Sequence, residues 1–581
     1  PYFRDDPQWQ WVANGNWTKG KHNVRFGTDL YIQHLNHNQP EFPGSAAPAS
    51  GGFRFTRGTT QLRGAGSTQL SRATDFNSFG SFLLGLPNQG GKIWQFPDVY
   101  KTRTRFYSFY LRDRWQVSPK LTLSYGIRYE VFPFPTREDR GVESYDPTTD
   151  ELLVCGVGVT PQNCGVNVRN WGVGPRIGLA YRVGDNTVIR AGYGLTNDPF
   201  NWARPLRTNY PIMFVQNLNP AGGIGAFGFA TTLRQGIPVV SEPSLGDGRI
   251  PLPLTAAVTW MDDNAVRGYV QSWNLTLERR FGGWVGSAGY VATRSVNQLA
   301  ALQQNWGPVG AGNAGRVLFG RFGRPVNATN YGSVGTPKYD SLQARLERRY
   351  ANGMQFRFGY TWGHARSFTA EDTAAGASPF AVPTEYGRLY SRASQDIRHN
   401  FQMSGSYESP FGKGRKWAAS GPASWILGGW QLNNVLSLYT GQPFTVTAPT
   451  ATANAAGSGQ VADCLGEPIK LGITGGTGRF YSPESFAIPT GPARFGNCGL
   501  NILSGPGVFN LDLGLLRRLQ LTERFELQLR AEGFNITNTP HFANPNGEVS
   551  SASFMLATGI RNTGRDGIDE RTFRFGLRLG W

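Results

Sequence analysis

The sequence predicts an all-β protein, a transmembrane antiparallel β-barrel with long extracellular loops. Three features predict this fold. Apolar and polar side chains alternate over runs of about ten residues, short turns join these runs in pairs, and long segments separate one pair from the next. Alternation with a period of two indicates strands with one oily and one polar face. The regular exchange of short turns with long loops is typical of barrels that cross a membrane.

The composition agrees with a barrel and excludes a helical membrane protein. The 581 residues include 76 Gly and 13% aromatic residues, whereas only 17% are charged and 39% hydrophobic. Such a chain favours turns and strands over helices. No run of eighteen apolar residues occurs, which excludes a membrane-spanning helix, while barrel strands alternate and keep a modest mean hydropathy.

The net charge of +18 does not indicate a nucleic-acid partner. Most of the basic residues are Arg, and they lie singly among aromatic residues on alternating strands. The chain has no basic tail, zinc-finger spacing or helix-turn-helix signal. The charges therefore indicate a polar, solvated strand face, and anionic lipid headgroups are further candidate partners.

Seven hairpins and one final strand follow from the alternating runs. Asn352-Gly353 and Gly282-Gly283 each lie between two such runs, and dipeptides of this kind are strong hairpin signals. A longer basic turn around Lys413–Lys416 joins one of the pairs. In chain order the runs are 8–18 with 22–35, 103–117 with 120–133, 171–183 with 187–197, 271–281 with 284–296, 339–350 with 354–367, 399–411 with 428–444, 508–519 with 524–537, and finally 571–581.

Long connections separate the hairpins, and we place them on the extracellular side. A soluble sandwich has no reason to send all its long loops to one end, whereas barrels of the outer membrane have short periplasmic turns and long extracellular loops. The long connections are about 36–102, 134–169, 198–267, 297–337, 368–395, 447–506 and 538–570.

Four cysteines predict two disulfides in these loops. Cys155 and Cys164 lie in one Gly/Pro-rich stretch, and Cys464 and Cys498 lie in another. Local pairs of this kind indicate disulfides and an oxidising compartment. Metal binding is the alternative, but neither pair has C-x-x-C spacing or a neighbouring His.

The final strand shows both faces of the predicted wall. Its apolar residues share one parity and are expected to meet lipid, while its arginines share the other parity and are expected to face the lumen. The same argument points three further arginines inward. Because Arg suits carboxylate and phosphate recognition, the candidate ligand-binding residues of the lumen are Arg280, Arg357, Arg530, Arg574 and Arg578. The alternative is that Glu278, Glu526 and Glu532 neutralise these charges.

The strand count does not close a barrel. Fifteen strands are predicted, whereas a bacterial single-chain barrel has an even number. Plugged outer-membrane transporters have 22 strands. The fifteen predicted strands would then be the last fifteen of such a 22-stranded barrel, and about seven strands would precede them.

The segments YLRDRWQVSPKLTLSYGIRYEVF, VQSWNLTLERRF, YDSLQARLERRYANGMQFRFGYTW, LGGWQLNNVLSLYTGQPF and LQLRAEGFNITNTPHFANPN resemble the C-terminal barrel of TonB-dependent outer-membrane receptors. They are most similar to the Oar-like subclass, which carries a carboxypeptidase-regulatory-like domain at its N-terminus. The resemblance covers residues 1–581 and implies a 22-stranded barrel with an N-terminal plug and a TonB box. Neither is present in this sequence, so 1–581 is expected to be the C-terminal part of the barrel.

The resemblance also implies a function, a location and partners. The function is TonB-dependent uptake of a ligand by an integral protein of the bacterial outer membrane. The expected partners are the TonB complex, acting through the absent N-terminal part, the barrel-assembly machinery and outer-membrane lipid. The assembly signal would lie at Phe573, Phe575 and Trp581, where Trp replaces the usual final Phe. A passive porin-like channel and a barrel whose loops serve adhesion are the alternatives.

No motif predicts catalysis, a cofactor or a metal. The G-x-G-x-x-G match at Gly310–Gly315 lies in a Gly-rich loop, whereas a dinucleotide site needs a strand before it and a helix after it. His34 and His37 form H-x-x-H, but residues three apart in a strand point to opposite faces. With six scattered His and all Cys expected to be oxidised, no nucleophilic arrangement is present, and we do not expect an enzyme.

Overall fold

One antiparallel sheet dominates the computed structural model, which describes residues 3–38, 51–60, 73–96, 100–199, 213–218, 228–254, 256–368, 380–561 and 570–580. The sheet contains fifteen long strands, as the sequence predicts. They are β1 (Gln8–Lys19), β2 (His22–Asn38), β3 (Tyr100–Gln116), β4 (Leu121–Val131), β5 (Trp171–Gly184), β6 (Thr187–Asn197), β7 (Tyr269–Phe281), β8 (Trp284–Val296), β9 (Lys338–Ala351), β10 (Met354–Ser367), β11 (His399–Glu408), β12 (Trp430–Tyr439), β13 (Val508–Gln520), β14 (Glu526–Phe534) and β15 (Thr572–Gly580).

Each long strand pairs with the next one along the chain, so the sheet is an up-and-down meander. Every one of these neighbouring pairs is antiparallel. Short strands at Phe3–Asp5, Thr136–Arg137 and Ser391–Arg392 extend the sheet beside β2, β3 and β10. The predicted all-β barrel wall is therefore confirmed.

Turn chemistry explains the tight hairpins. Asn352 and Gly353, between β9 and β10, both have positive φ, at 55° and 76°. Two successive positive φ values match the right-handed twist of the flanking strands. Between β7 and β8, Gly282 alone has a positive φ, of 53°.

Three predicted strand ends are wrong. β14 ends at Phe534, not at residue 537, because Asn535 turns the backbone to a φ of 44° and leaves the extended region. β12 ends at Tyr439, and Pro443–Phe444 pairs instead with Leu503–Ser504 in a separate sheet. β11 ends at Glu408, where the turn towards β12 begins.

The long connections are themselves folded. They carry strands at Gly52–Arg54, Gln89–Gln95 and Met213–Leu218, at Ser144–Asp146, Glu151–Leu153 and Arg249–Pro251, at Val258–Met261, Gln298–Gln303 and Ala328–Gly335, and at Asp463–Cys464 and Phe486–Ala487. Helices α1 (Ala73–Leu83) and α2 (Val317–Phe322) also lie there, with 3₁₀ turns at Arg57–Thr59, Gly312–Gly315, Pro383–Leu389, Thr450–Thr452 and Pro483–Ser485. Helix α3 (Gly421–Leu427) lies instead between β11 and β12. Among the residues described, no helix has the length and apolar character to cross a membrane.

The apolar core lies in the loops, and the sheet turns its apolar side outward. Buried clusters gather residues of the β4–β5, β6–β7 and β8–β9 loops, and separately of the β10–β11, β12–β13 and β14–β15 loops. The outward residues of the sheet are exposed, with Phe575 at 81% and Leu577 at 71%. Other outward residues follow the same parity on other strands, such as Trp11, Phe109, Ile127, Leu275, Trp362 and Leu515. Such a surface requires lipid around it.

Two edges of the sheet stay open within the described residues. β1 pairs only with β2 among the long strands, and β15 pairs only with β14. Because the number of strands is odd, β1 and β15 run in the same direction, so a bond between them would be the sole parallel pairing in the wall.

Candidate functional site

A pocket of mixed polar and apolar lining occupies the inner face of the sheet. It has a volume of about 550 Å³ and spans six strands from β7 to β12. Its polar lining comes from the inward parity of those strands and includes Thr276, Ser287, Gln343, Arg345, Arg357, Thr361, Asn400, Gln402 and Ser404. Apolar surface is equally present, from residues such as Val291, Phe358 and Met403. The hydroxyl, amide and guanidinium groups can bind water or the polar groups of a ligand.

Arg357, one of the predicted lumen residues, lies in this pocket. Its guanidinium is 3.5 Å from the carboxylate of Glu347 on the neighbouring strand. Arg345 forms an ion pair with the same carboxylate. Two arginines therefore share one acid, so these three side chains together carry a net positive charge. The sequence analysis did not single out Glu347, although the alternation of β9 would have placed it on the inner face.

Arg530, Arg574 and Arg578 lie together on β14 and β15. The register sets Gly576 opposite Arg530, so Arg574 and Arg578 flank it on the next strand. Arg518 of β13 adds a fourth arginine that the sequence analysis missed, since it lies opposite Gln528, which in turn lies opposite Arg578. We call these four residues the arginine cluster.

Within the described residues, polar and aromatic side chains contact the cluster, and no salt bridge joins it to an acid. Arg530 donates to the Gln528 side chain at 3.3 Å. The Arg574 guanidinium lies 4.9 Å from the ring centre of Phe534, a cation–π contact. Glu532 is opposite Arg574 in the register but forms no ion pair with it in the described part of the chain.

Arg280 is remote from the other candidates in the strand order. It lies at the turn end of β7, and its guanidinium donates to the Asn186 side chain at 3.0 and 3.2 Å. The structure thus distributes the five predicted arginines over β7, β10 and the β14–β15 pair. Among the described residues, none of the five pairs with Glu278, Glu526 or Glu532, because the ion pair of Glu278 is with Arg190 at 3.7 Å.

The described segments of the long loops pack into a layer that both predicted disulfides cross-link. Cys155 is bonded to Cys164 in the β4–β5 loop, and Cys464 to Cys498 in the β12–β13 loop. Cys155 and Cys498 are buried. Beside the second disulfide, Arg494 pairs with Asp463 at 2.8 Å and lowers the pKa of that carboxyl.

Buried arginines connect the loops electrostatically. Arg324 is fully buried and forms two hydrogen bonds to Asp150. Arg267 donates to the carbonyls of Arg169 and Asp198, each at 2.8 Å, and burial lowers its pKa to about 10. Arg324 and Arg267 therefore stabilise the conformation of the loops. Neither guanidinium is exposed to the lumen.

One loop carboxylate has a strongly shifted pKa. Burial tends to raise the pKa of Asp146, but hydrogen bonds from Thr148 and Arg249 outweigh it and lower the pKa to about 2. Arg249 also binds Glu151 at 2.9 Å, so it connects the β6–β7 loop to Asp146 and Glu151 of the β4–β5 loop.

The G-x-G-x-x-G and H-x-x-H matches, which the sequence analysis did not interpret as binding sites, have structural roles. In the Gly310–Gly315 segment, the amides of Gly310 and Gly312 donate to the carbonyls of Ala453 and Asn454 in another loop, at 2.9 and 2.8 Å. They are therefore not offered to a phosphate. The His34 ring packs against Trp9 with 4.7 Å between ring centres, while His37 is buried and lies on the opposite face of β2. No group of three or more His, Cys, Asp or Glu side chains that would hold a metal ion occurs in the described ranges.

The proposed assembly signal is described only in part. Phe573 and Phe575 lie on the outward face of β15 and are exposed. Trp581 lies outside the described residues.

Comparison with known proteins gives one family and a set of solved structures. The family model for the outer membrane beta barrel domain matches residues 1–573. No curated protein matches the sequence significantly.

Similar solved structures include the outer membrane transporter YddB from Escherichia coli, at 10% identity and a TM-score of 0.47, where 99% of this chain covers 54% of that one. The copper transporter OprC is 9% identical, with a TM-score of 0.45 and coverage of 99% and 57%. A mutant of the ferric enterobactin receptor of Pseudomonas aeruginosa is 12% identical, with a TM-score of 0.45 and coverage of 99% and 53%. The chain therefore spans just over half the length of these proteins.

Proposed function

The chain belongs to the outer membrane beta barrel domain family and is an integral protein of the outer membrane, and from this premise we propose that it forms the wall of a TonB-dependent active transporter. The observation that carries the proposal is the pair of open edges, β1 and β15. In hydrocarbon each unsatisfied N–H or C=O group costs several kcal/mol, so an edge strand of this length requires a partner.

Further strands would satisfy both edges. An even, fully antiparallel barrel requires an odd number of additional strands, because fifteen are present. About seven more would give the 22 strands of plugged transporters. We therefore propose that residues 1–581 are the C-terminal part of such a barrel, of the Oar-like subclass, and that the first strands, the plug and the TonB box belong to an N-terminal part.

The inner face supports a wide and filled lumen. It carries Arg345, Arg357 and the arginine cluster, which a narrow barrel packed with side chains would not accommodate. A plug would cover this charged surface and separate the two compartments. The resemblance in the sequence then implies that TonB, powered by the proton-motive force, opens the plug. Transport of this kind requires no catalytic residue and no cofactor of the barrel.

The loop layer supports a receptor role for the outer face. Its two disulfides and buried arginines make it a rigid surface above the lumen. The excess of arginine below it favours anionic ligands, because Arg recognises carboxylate and phosphate. The proposed path of the ligand runs from the loops into the arginine-bearing lumen.

Uptake experiments on the intact protein test the proposal. Ligand uptake should vanish when TonB is deleted or the proton gradient is collapsed, and the purified protein should not conduct ions in a planar bilayer. Steady conductance together with TonB-independent uptake would establish a passive porin. Cell or surface binding without any uptake would establish an adhesion barrel.

A further inference from the structure

The turn between β11 and β12 differs from the other hairpin turns of the wall. It covers residues 409–429, whereas tight turns such as Asn352-Gly353 contain two residues. It lies at the end of the barrel where the short turns lie, which is the periplasmic end. The segment contains three basic residues, Lys413, Arg415 and Lys416, and no acidic one.

The turn exposes large apolar side chains beside the lipid-facing wall. Trp425 on α3 is 68% exposed, and Ile426, Leu427 and Trp417 are also exposed. Exposed apolar side chains on a helix are unfavourable in water, but they are typical of helices that lie in the membrane interface.

Hydrogen bonds hold this turn in one arrangement. The Trp430 indole donates to the carbonyl of Ile426 at 2.9 Å, and the Ser409 hydroxyl donates to the carbonyl of Leu427 at 2.8 Å. The Phe411 and Trp417 rings lie 5.6 Å apart. The exposed tryptophans are therefore carried by a folded element.

Arg517 of β13 completes the surface. Its guanidinium lies 5.2 Å from the ring of Trp425 and 4.9 Å from the ring of Trp430, and it donates to the carbonyl of Trp425. The register places Arg517 opposite Trp430 and Leu529 on the outward face, three residues before β13 ends. A positive group on the outside of a barrel, between two tryptophans, lies at the level of the lipid headgroups.

We propose that this surface binds the headgroup of an anionic phospholipid from the periplasmic leaflet. The surface, which we call the turn platform, consists of Lys413, Lys416, Trp417, Trp425, Trp430 and Arg517. The arginine binds the phosphate, the two lysines add positive charge, and the tryptophans and α3 cover the glycerol and the upper acyl chains.

Charge and position together identify a lipid as the occupant. Arg415 forms an ion pair with Glu408, which lies on the inner parity of β11, and this acid is therefore directed away from the platform. Lys416 lies 5.3 Å from the ring of Trp417, so its charge is presented over an exposed aromatic surface. The platform also continues the outward row of the wall, where Leu432 and Leu515 are exposed to lipid.

Lipid retention by the intact protein tests the inference. The purified protein is mixed with detergent micelles that contain either phosphatidylglycerol or phosphatidylcholine, and bound lipids are counted by native mass spectrometry. We expect the wild type to retain phosphatidylglycerol in preference, and Arg517→Gln to lower this retention about five-fold. Arg176→Gln, at an exposed position on the inner face of β5, is the matched control and should retain the lipid fully. Inorganic phosphate should not displace it, because the tryptophans bind the chains.

Three results would overturn the inference: equal retention of both lipids, equal loss in Arg517→Gln and Arg176→Gln, or displacement by inorganic phosphate. Folding is checked by the shift in gel mobility on heating. If Arg517→Gln does not fold, the exposed pair Lys413→Gln and Lys416→Gln replaces it, and unchanged retention in that double variant would also overturn the inference. The outcome is independent of whether the barrel transports anything, since it concerns only the outer wall.

Discussion

Arg324 and Asp150 form a bidentate ion pair between two extracellular loops, with Nε to Oδ1 at 2.6 Å and Nη2 to Oδ2 at 2.8 Å. The same guanidinium donates to the carbonyls of Leu252, Pro253 and Ala256. One buried side chain therefore joins the β4–β5, β6–β7 and β8–β9 loops. Asp150 also accepts from the Tyr145 hydroxyl, and the Pro253 carbonyl from the Ala256 amide. Among the described residues, however, only the Arg324 side chain contacts all three loops at this point.

Removal of the Arg324 side chain should loosen these loops without unfolding the wall. Arg324→Ala leaves the Asp150 carboxylate without its positive partner and removes a donor from three carbonyls, and we expect a loss of about 3–5 kcal/mol in the stability of the loop layer. Limited proteolysis of the folded barrel measures it. Arg234→Ala, in an exposed loop, is the control and should change the stability by less than about 0.5 kcal/mol. Equal protease resistance in both variants would contradict the prediction.

The loop layer should weaken in acid because of Asp146. Its pKa is lowered to about 2 from an ordinary value of 3.8, so the ionised carboxylate stabilises the folded loops above pH 3.8. This contribution is lost as the pH falls from 3.8 through 2. The protection factors of residues 144–153 and 249–251, which are hydrogen-exchange measurements corrected for the intrinsic effect of pH, should therefore fall across that window. In Asp146→Asn the protection factors should already be low at neutral pH and change less in acid; identical profiles for the two proteins would refute the assignment.

The two disulfides should contribute unequally. Each is expected to stabilise the loops by about 2–4 kcal/mol, and the entropic model favours the one that closes the longer loop. Cys464–Cys498 spans 34 residues and Cys155–Cys164 spans 9. The double Ser variant of the first pair should therefore be less stable than that of the second by about 1 kcal/mol. Thermal unfolding of the two variants in matched detergent measures the difference, and a reversed order would contradict the loop-closure argument.

The arginine cluster should attract anionic ligands. Arg518, Arg530, Arg574 and Arg578 lie on adjacent strands and form no salt bridge among the described residues, although Glu532 lies opposite Arg574 and Glu408 interacts electrostatically with Arg518. Changing Arg530, Arg574 and Arg578 to Gln should slow uptake of an anionic ligand about tenfold at low salt and less at high salt. Arg280→Gln is the control, because Arg280 lies far along the sheet and binds Asn186. Uptake that is unchanged in the triple variant would leave these arginines a purely structural role.

The strands of the wall were predictable from the sequence because residues close together in the chain determine them. Alternation along a strand decides which side chains meet lipid, and a pair such as Asn352-Gly353 decides where the strand reverses. All fifteen strands follow from these two signals. The strand ends were less predictable, since Asn535 leaves the extended region by a positive φ that an alternating pattern does not encode.

The loops and the pairing of charges were not predictable in this way. Arg324 stands alone in the sequence, and its burial depends on carbonyls from Leu252 to Ala256 and on Asp150, far away along the chain. Arg517 lies on the outward parity of β13, where alternation predicts an apolar residue. Its role emerges only when Trp425 and Trp430 are seen on either side of it. Contacts of this kind are set by the fold as a whole.

The final strand provides a direct test of which face meets lipid. Phe575 lies on the outward face of β15, opposite Ala531, and is 81% exposed, whereas Arg574 lies on the inward face beside Phe534. Phe575→Arg places a charge against hydrocarbon and should cost about 2–4 kcal/mol if the residue lies near the midplane. Arg574→Gln loses only a cation–π contact, worth about 0.5–1 kcal/mol at an exposed site.

The free energy of unfolding in lipid vesicles, measured by urea titration of the intact protein, separates the two substitutions. Phe575→Arg should lower it by more than Arg574→Gln, and Phe575→Leu, which keeps an apolar side chain, should leave it nearly unchanged. The difference should shrink in detergent micelles, where water reaches the protein surface more easily. If Arg574→Gln proved the more damaging change, β15 would present its other parity to the membrane. Its register with β14 would then be shifted by one residue, because a one-residue slip exchanges the two faces of a strand.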